Sequence, residues 1–165
     1  MQSNFTLIGM PGAGKSTLGI ILAKNLEFGF IDTDVLIQIN QRKPLYQIIE
    51  ENGPLHLRTL EEQELLKINL TQHIIATGGS AVYSEKAMKH LQSISTIIFL
   101  EVTLAEINRR IDNFATRGIV QEKHQTFKEL FSQRQFLYQR YADITIDCNK
   151  GNKEELAGQI AQAIS

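Results

Sequence analysis

Short apolar runs recur along the chain, each followed by a longer stretch in which leucine and isoleucine return every three or four positions. The runs are Phe5–Ile8, Phe28–Ile31, His73–Ala76, Thr96–Leu100 and Ile144–Ile146. They are continuous rather than alternating, the signature of strands covered on both faces. Between them the spacing predicts helices. Lys15–Leu26 carries Leu18, Ile21, Leu22 and Leu26 on one stripe, and Thr59–Leu70 carries Leu60, Leu65, Leu66 and Leu70 among glutamates. Further helices are expected over Leu104–Ile111, Thr126–Tyr141 and Lys153–Ile164. Two short ones, Asp34–Asn40 and Tyr46–Glu51, are separated by Lys43-Pro44. Strand–helix alternation of this kind predicts an α/β domain with a parallel sheet and right-handed crossovers. The segment 112–125 lacks clear periodicity and reads as a mobile loop or an ordinary surface connection.

Composition narrows this picture. A chain of 165 residues with 42% hydrophobic content supports one domain, residues 1–165, with a real core. The formal net charge is −1 and no block of lysine or arginine occurs, which disfavours a nucleic-acid partner. Cys148 is the one cysteine, so no internal disulfide forms, and a reducing cytoplasmic location fits. The start MQSNFTLIGM lacks the basic and long apolar regions of a signal peptide, and no apolar run is long enough for a membrane span. The four histidines are scattered and suggest no zinc site. No exposed apolar stripe demands a dimer, so a monomer is expected.

The chemistry begins at Gly9-Met10-Pro11-Gly12-Ala13-Gly14-Lys15-Ser16-Thr17, which fits G-x-x-x-x-G-K-[ST]. A strand precedes it and a helix follows, as the motif requires. Backbone N–H groups of a tight loop and a first helical turn make a concave anion site, and missing side chains let phosphate oxygens approach. Lys15 can reach the terminal phosphates, and the Ser16 hydroxyl can join the shell of Mg²⁺. The second strand run leads into Asp32-Thr33-Asp34, at the carboxyl edge where ligands bind in open α/β sheets. One carboxylate can help hold Mg²⁺ and the other can orient or deprotonate an acceptor hydroxyl. Helix capping by Asp34 is the plainer alternative. Three further signals each have a bland reading. Arg58 has Glu61 and Glu62 at helical spacing, as in a surface ion pair. Thr77-Gly78-Gly79-Ser80 follows the third strand run, as a ligand approach or a turn. Arg134 lies within a helical pattern, where a solvated arginine is unremarkable.

Taken in order, several segments carry a resemblance: Gly9–Thr17, Phe30-Ile31-Asp32-Thr33-Asp34, Leu57-Arg58-Thr59-Leu60-Glu61 and Ala76-Thr77-Gly78-Gly79. Arg117, and Arg134 followed by Tyr138 and Ala142-Asp143, complete the order. Across nearly its whole length the chain resembles the shikimate kinase family, within the nucleoside-monophosphate-kinase-like P-loop proteins. The resemblance implies a three-layer P-loop domain with a five-stranded parallel sheet of order 2-3-1-4-5 flanked by helices. It also implies an acceptor-binding segment at about 33–61 and a lid at about 112–125. The implied activity is transfer of the γ-phosphoryl of ATP, with Mg²⁺, to the 3-hydroxyl of shikimate. Lys15, Asp34 and Arg117 match the family's catalytic groups. Gly12, Ala13, Gly14, Lys15, Ser16, Thr17, Arg110 and Arg117 match its nucleotide contacts, and Ser16 and Asp32 its magnesium side. Asp34, Arg58, Gly79 and Arg134 match its shikimate contacts.

The departures lie mostly on the acceptor and lid side. Ser80 stands where a third glycine is usual, Ile49 and Leu57 where phenylalanine is usual, and Phe136 where proline is usual. Gly53-Pro54 replaces Gly-Glu, and Arg117-Gly118-Ile119-Val120 replaces Arg-Pro-Leu-Leu. Ser80 is expected to add bulk and a hydroxyl near the ring site. Two alternatives therefore stand beside shikimate phosphorylation: a kinase of the same fold for another small polyhydroxy acid, and a nucleotide-binding regulatory protein without catalysis.

Overall fold

The structure, a computed structural model, describes residues 4–111, 119, 121 and 123–165. Five strands form one parallel sheet: β1 (Asn4–Ile8), β2 (Gly29–Asp32), β3 (His73–Ala76), β4 (Ser95–Glu101) and β5 (Ile144–Asp147). Their spatial order is β2-β3-β1-β4-β5, the order that the resemblance implies. Register is fixed by pairs such as Leu7 with Ala76 on one side and with Ile98 on the other. Ile97, Ile98, Phe99 and Leu100 are consecutive and fully buried, because helices cover both faces of β4.

The helices are α1 (Lys15–Leu26), α2 (Thr33–Gln41), α3 (Leu45–Asn52), α4 (Pro54–Leu66), α5 (Glu85–Ile94), α6 (Leu104–Arg110), α7 (Phe127–Tyr141) and α8 (Lys153–Ala163). α7 and α8 open on full capping boxes, Thr126 with Glu129 and Asn152 with Glu155. Two differences from the expected elements have clear causes. α4 spans Pro54–Leu66 rather than Thr59–Leu70, because Pro54 sits at its first turn, where a missing N–H costs nothing. α5 was not anticipated: only Ala87, Met88 and Leu91 of its ten residues are buried, too few to show as a periodic run. Its start is marked by Ser84, whose hydroxyl accepts from the Ala87 amide.

The main core lies between sheet and helices. A second, smaller core of Ile37, Leu45, Ile48, Leu57 and Leu60 holds α2, α3 and α4 together, with Ile49 packed against it. The expected acceptor segment 33–61 thus carries packing of its own. Leu57 is fully buried in that core. Most of the expected lid, including Arg117, falls outside the described residues. No helix among the described residues is long and apolar enough to cross a membrane.

Candidate active site

The phosphate loop joins β1 to α1. Gly14 is the N-cap of α1 with φ of 103°, a left-handed conformation that only glycine adopts without strain. No side chain caps the helix there, so its first amides remain open to an anion. Lys15 is buried, and its Nζ donates to the carbonyls of Gly9 (2.7 Å) and Met10 (2.9 Å). Burial, partly offset by the charge of Asp34, brings its pKa down to about 8. A cavity of about 420 Å³ opens here, lined by Gly12, Gly14, Lys15, Ser16, Thr17 and Arg110 together with Asp34, Thr77 and Lys153. Ala13 does not line it; it is fully buried, and its amide donates to the Met10 carbonyl. Arg110 is fixed by bonds to the Cys148 carbonyl (2.6 Å) and to Glu106 (2.7 Å).

At the end of β2 the two aspartates separate in role. Asp32 Oδ1 accepts from the amides of Asp34 (3.0 Å) and Val35 (3.3 Å), so Asp32 caps α2, and the capping reading of Asp34 is corrected. Asp32 Oδ2 accepts from the Ser16 hydroxyl. Asp34 Oδ1 is enclosed and accepts no hydrogen bond among the described residues. Burial, with the charge of Asp32, raises the Asp34 carboxyl to about 6.

The glycine segment after β3 packs against this carboxylate. A Cβ placed on Gly78 would lie 2.6 Å from Asp34 Oδ1 and 2.8 Å from Glu61 Oε1, so the missing side chain is what lets both acids approach the strand end. A Cβ on Gly79 would lie 2.8 Å from Arg134 Nη1 and from the Pro11 ring. Gly79 also accepts a 2.6 Å hydrogen bond from Tyr138, which stacks on Phe99. Arg134 is buried rather than solvated. Among the described residues Arg58 makes no ion pair with Glu61 or Glu62, and its buried Nε and Nη2 have no hydrogen-bond partner. Arg58, Glu61 and Ser80 line a second cavity of about 280 Å³, which Asp34, Gly79 and Arg134 do not line. Arg117 lies outside the described residues.

Three further residues belong to this constellation. Glu61, which the sequence marked only as a spacing partner of Arg58, is buried, its carboxyl accepts from Ser80, and burial followed by the charge of Asp34 raises it to about 7. Tyr83 lies against both arginines. Lys153 reaches the phosphate loop from the start of α8. Tyr83 and Lys153 had no motif to mark them; only the fold brings them in.

A phosphate loop, a hydroxyl–carboxylate pair beside it, and a buried carboxylate facing arginines define a P-loop kinase of small anionic acceptors. A family model described as "Shikimate kinase" matches residues 11–165. A shikimate kinase of Mycobacterium avium is 35% identical over 156 residues, covering 92% of this chain and 88% of that protein. One of Caldanaerobacter subterraneus is 34% identical over 165 residues, covering 98% and 96%. The solved structure of the Acinetobacter baumannii shikimate kinase in complex with shikimate aligns at a TM-score of 0.91 and 29% identity, covering 99% of this chain and 93% of that one. The chain belongs to the shikimate kinase family.

The family uses ATP with Mg²⁺, and the residues present fit both. The open amides of α1 and the Lys15 ammonium suit a polyphosphate. The Ser16 hydroxyl and the Asp32 carboxylate touch each other and are the hard oxygen donors that Mg²⁺ takes. Among the described residues no group of three or more His, Cys, Asp or Glu side chains converges. A magnesium ion here would complete its shell from the nucleotide, the usual arrangement for this ion.

Proposed function

We propose that this chain phosphorylates the 3-hydroxyl of shikimate with ATP, and that Asp34 sits at the seam between donor and acceptor. One observation carries the reading: Asp34 lines the nucleotide cavity, and its enclosed Oδ1, which accepts no hydrogen bond among the described residues, lies beside Gly78 and Glu61. Arg58 and Arg134 bind the acceptor carboxylate, since a guanidinium edge matches a carboxylate bidentately. Gly79 gives the ring close access to the backbone.

In the reaction the acceptor hydroxyl gives its proton to Asp34 as its oxygen bonds to the γ-phosphorus. The bond from that phosphorus to the bridging oxygen breaks, and ADP keeps the electron pair. A carboxyl raised to about 6 is a stronger base than an ordinary aspartate while still ionised at neutral pH. Lys15 leaves the Gly9 and Met10 carbonyls for the terminal phosphates, and Arg117 adds charge from the lid. Ser16 and Asp32 would hold Mg²⁺, which would supply neutralisation of the phosphate charge.

The 34–36% identity to shikimate kinases over almost the whole chain supports shikimate over other polyhydroxy acids. Lys15, Asp32 and Asp34 together at one end of the sheet support catalysis over a purely regulatory role. A cytoplasmic monomer without nucleic-acid or membrane partners fits the balanced charge and the single buried cysteine.

The test is coupled ADP release with and without shikimate. A shikimate-dependent signal is expected, with none on a panel of sugar acids. Asp34→Asn should nearly abolish turnover while ATP still binds; wild-type kcat in that variant would remove Asp34 from its role.

A further inference from the structure

We propose that Tyr83 is a positioning residue for the acceptor: its ring carries Arg58 and lies close to Arg134, holding their guanidinium groups toward one carboxylate. The inference rests on the reading above that both arginines bind that carboxylate.

Tyr83 ends the 3-10 turn Ala81–Tyr83 that follows the glycine segment after β3. The Arg58 Cζ lies 3.9 Å from its ring centroid, and the Arg134 Cζ 5.6 Å. The ring is pinned at its far end, where the phenol donates to Gln133 Oε1 at 2.7 Å. Gln133 is the chain neighbour of Arg134, so the ring is tied to α7 as well as to its own turn. Tyr83 also lines the 280 Å³ cavity with Arg58, Glu61 and Ser80.

Two guanidinium groups aimed at one small anion repel each other until the anion arrives. A carboxylate partner would relieve the repulsion, but it would occupy the N–H edge that the substrate needs. An aromatic face attracts a guanidinium through its plane and leaves the edge free. Arg58 fits that arrangement: its Cζ lies over the ring, while Nε and Nη2 are buried without hydrogen-bond partners among the described residues. The nearby acid is held off, since Glu61 takes the Ser80 hydroxyl and forms no ion pair with Arg58 among the described residues.

Tyr83→Leu and Tyr83→Met remove the ring, Tyr83→Phe keeps the face, and Arg58→Ala removes the cation. Each is assayed for kcat and for both KM values, with thermal melting to verify folding. Tyr83→Leu and Tyr83→Met should raise the KM for shikimate about ten-fold, as loss of a desolvated cation–π contact implies. Their kcat and KM for ATP should stay near wild type, and Tyr83→Phe should behave as wild type. In an Arg58→Ala background, Tyr83→Leu should add little. If Arg58→Ala raises the KM while the ring-free variants do not, Tyr83 has no such role. Equal loss in Tyr83→Phe would assign the effect to the phenol tether and overturn the ring-face argument, as would full additivity with Arg58→Ala. An unchanged KM in Arg58→Ala would instead sink the acceptor-site reading, and this inference with it.

Discussion

Ser80 donates its hydroxyl to the carboxylate of Glu61, and both side chains are buried beside the acceptor end of the sheet. The extra hydroxyl that this chain carries in place of a glycine is therefore consumed inside the protein. The serine is expected to add bulk and a hydroxyl near the ring site; it lines the cavity beside Arg58, and its hydroxyl is donated to Glu61.

The first prediction follows from that pairing. Ser80→Ala leaves a buried carboxyl oxygen without its donor, and should lower unfolding stability by about 1–2 kcal/mol. In a Glu61→Gln background the same change should cost much less, because a neutral amide tolerates the loss better. Chemical denaturation of the four proteins in the cycle measures this; full additivity would mean that the hydroxyl contributes elsewhere.

Glu61 also sets a pH dependence. Its carboxyl is raised from 4.5 to about 7, chiefly by burial, then by the charge of Asp34, with Ser80, Arg134 and Arg58 opposing. The fold therefore binds this proton more tightly than the unfolded chain does. Stability falls as pH rises from about 4.5 and is fully lowered above about 7, by up to about 3 kcal/mol. Asp34, raised from 3.8 to about 6, slopes the same way. Lys15, lowered from 10.5 to about 8, has the opposite sign and changes stability above pH 8. The ligand-free protein should melt at a higher temperature at pH 5 than at pH 8. Glu61→Gln should reduce the slope and raise the melting point at pH 8. A melting point that does not vary with pH in the parent protein would contradict the burial of ionised Glu61.

The strands were readable because a buried parallel sheet demands unbroken apolar runs, and each run became a strand within a residue or so. The phosphate loop was readable because its chemistry is local: nine consecutive residues contain it. Asp32 and Asp34 could be placed at the carboxyl edge of the sheet, and the resemblance divided magnesium and acceptor roles between them. Which one caps α2 depends on a side-chain rotation, which spacing does not show. Helical spacing alone left Arg58 as a surface ion pair and Arg134 as solvated, because nothing in it says that their helices turn inward. The bond of Glu61 to Ser80 and the places of Tyr83 and Lys153 were hidden for the same reason, since each contact joins residues 19 or more positions apart.

The glycine segment after β3 gives a sharper test of the carboxylate geometry. Gly78→Ala would place a methyl group 2.6 Å from Asp34 Oδ1 and 2.8 Å from Glu61 Oε1, so both acids must shift. A displacement on the order of 1 Å at a proton acceptor costs roughly 100-fold in rate. The expected outcome is a kcat lower by that order, with ADP affinity close to wild type. Normal turnover in Gly78→Ala would show that the Asp34 position is not critical.

Lys153 offers a test on the nucleotide side. It is the first residue of α8, where a cation opposes the helix dipole. Its Nζ also sits 2.8 Å from where a Cβ on Gly14 would be, over the start of α1, a second positive helix end. Burial and the charge of Arg110 both lower its pKa, so the ammonium is held against unfavourable surroundings. An anion between the two helix ends reverses that balance, and the polyphosphate of ATP is the anion that the cavity accepts. Lys153→Ala should therefore raise the KM for ATP and the Kd for ADP alike, about 5–10-fold, leaving kcat and the KM for shikimate near wild type. The same change should leave the ligand-free protein at least as stable as before. An unchanged KM for ATP, or a ligand-free protein that loses stability, would show that Lys153 serves the fold rather than the nucleotide.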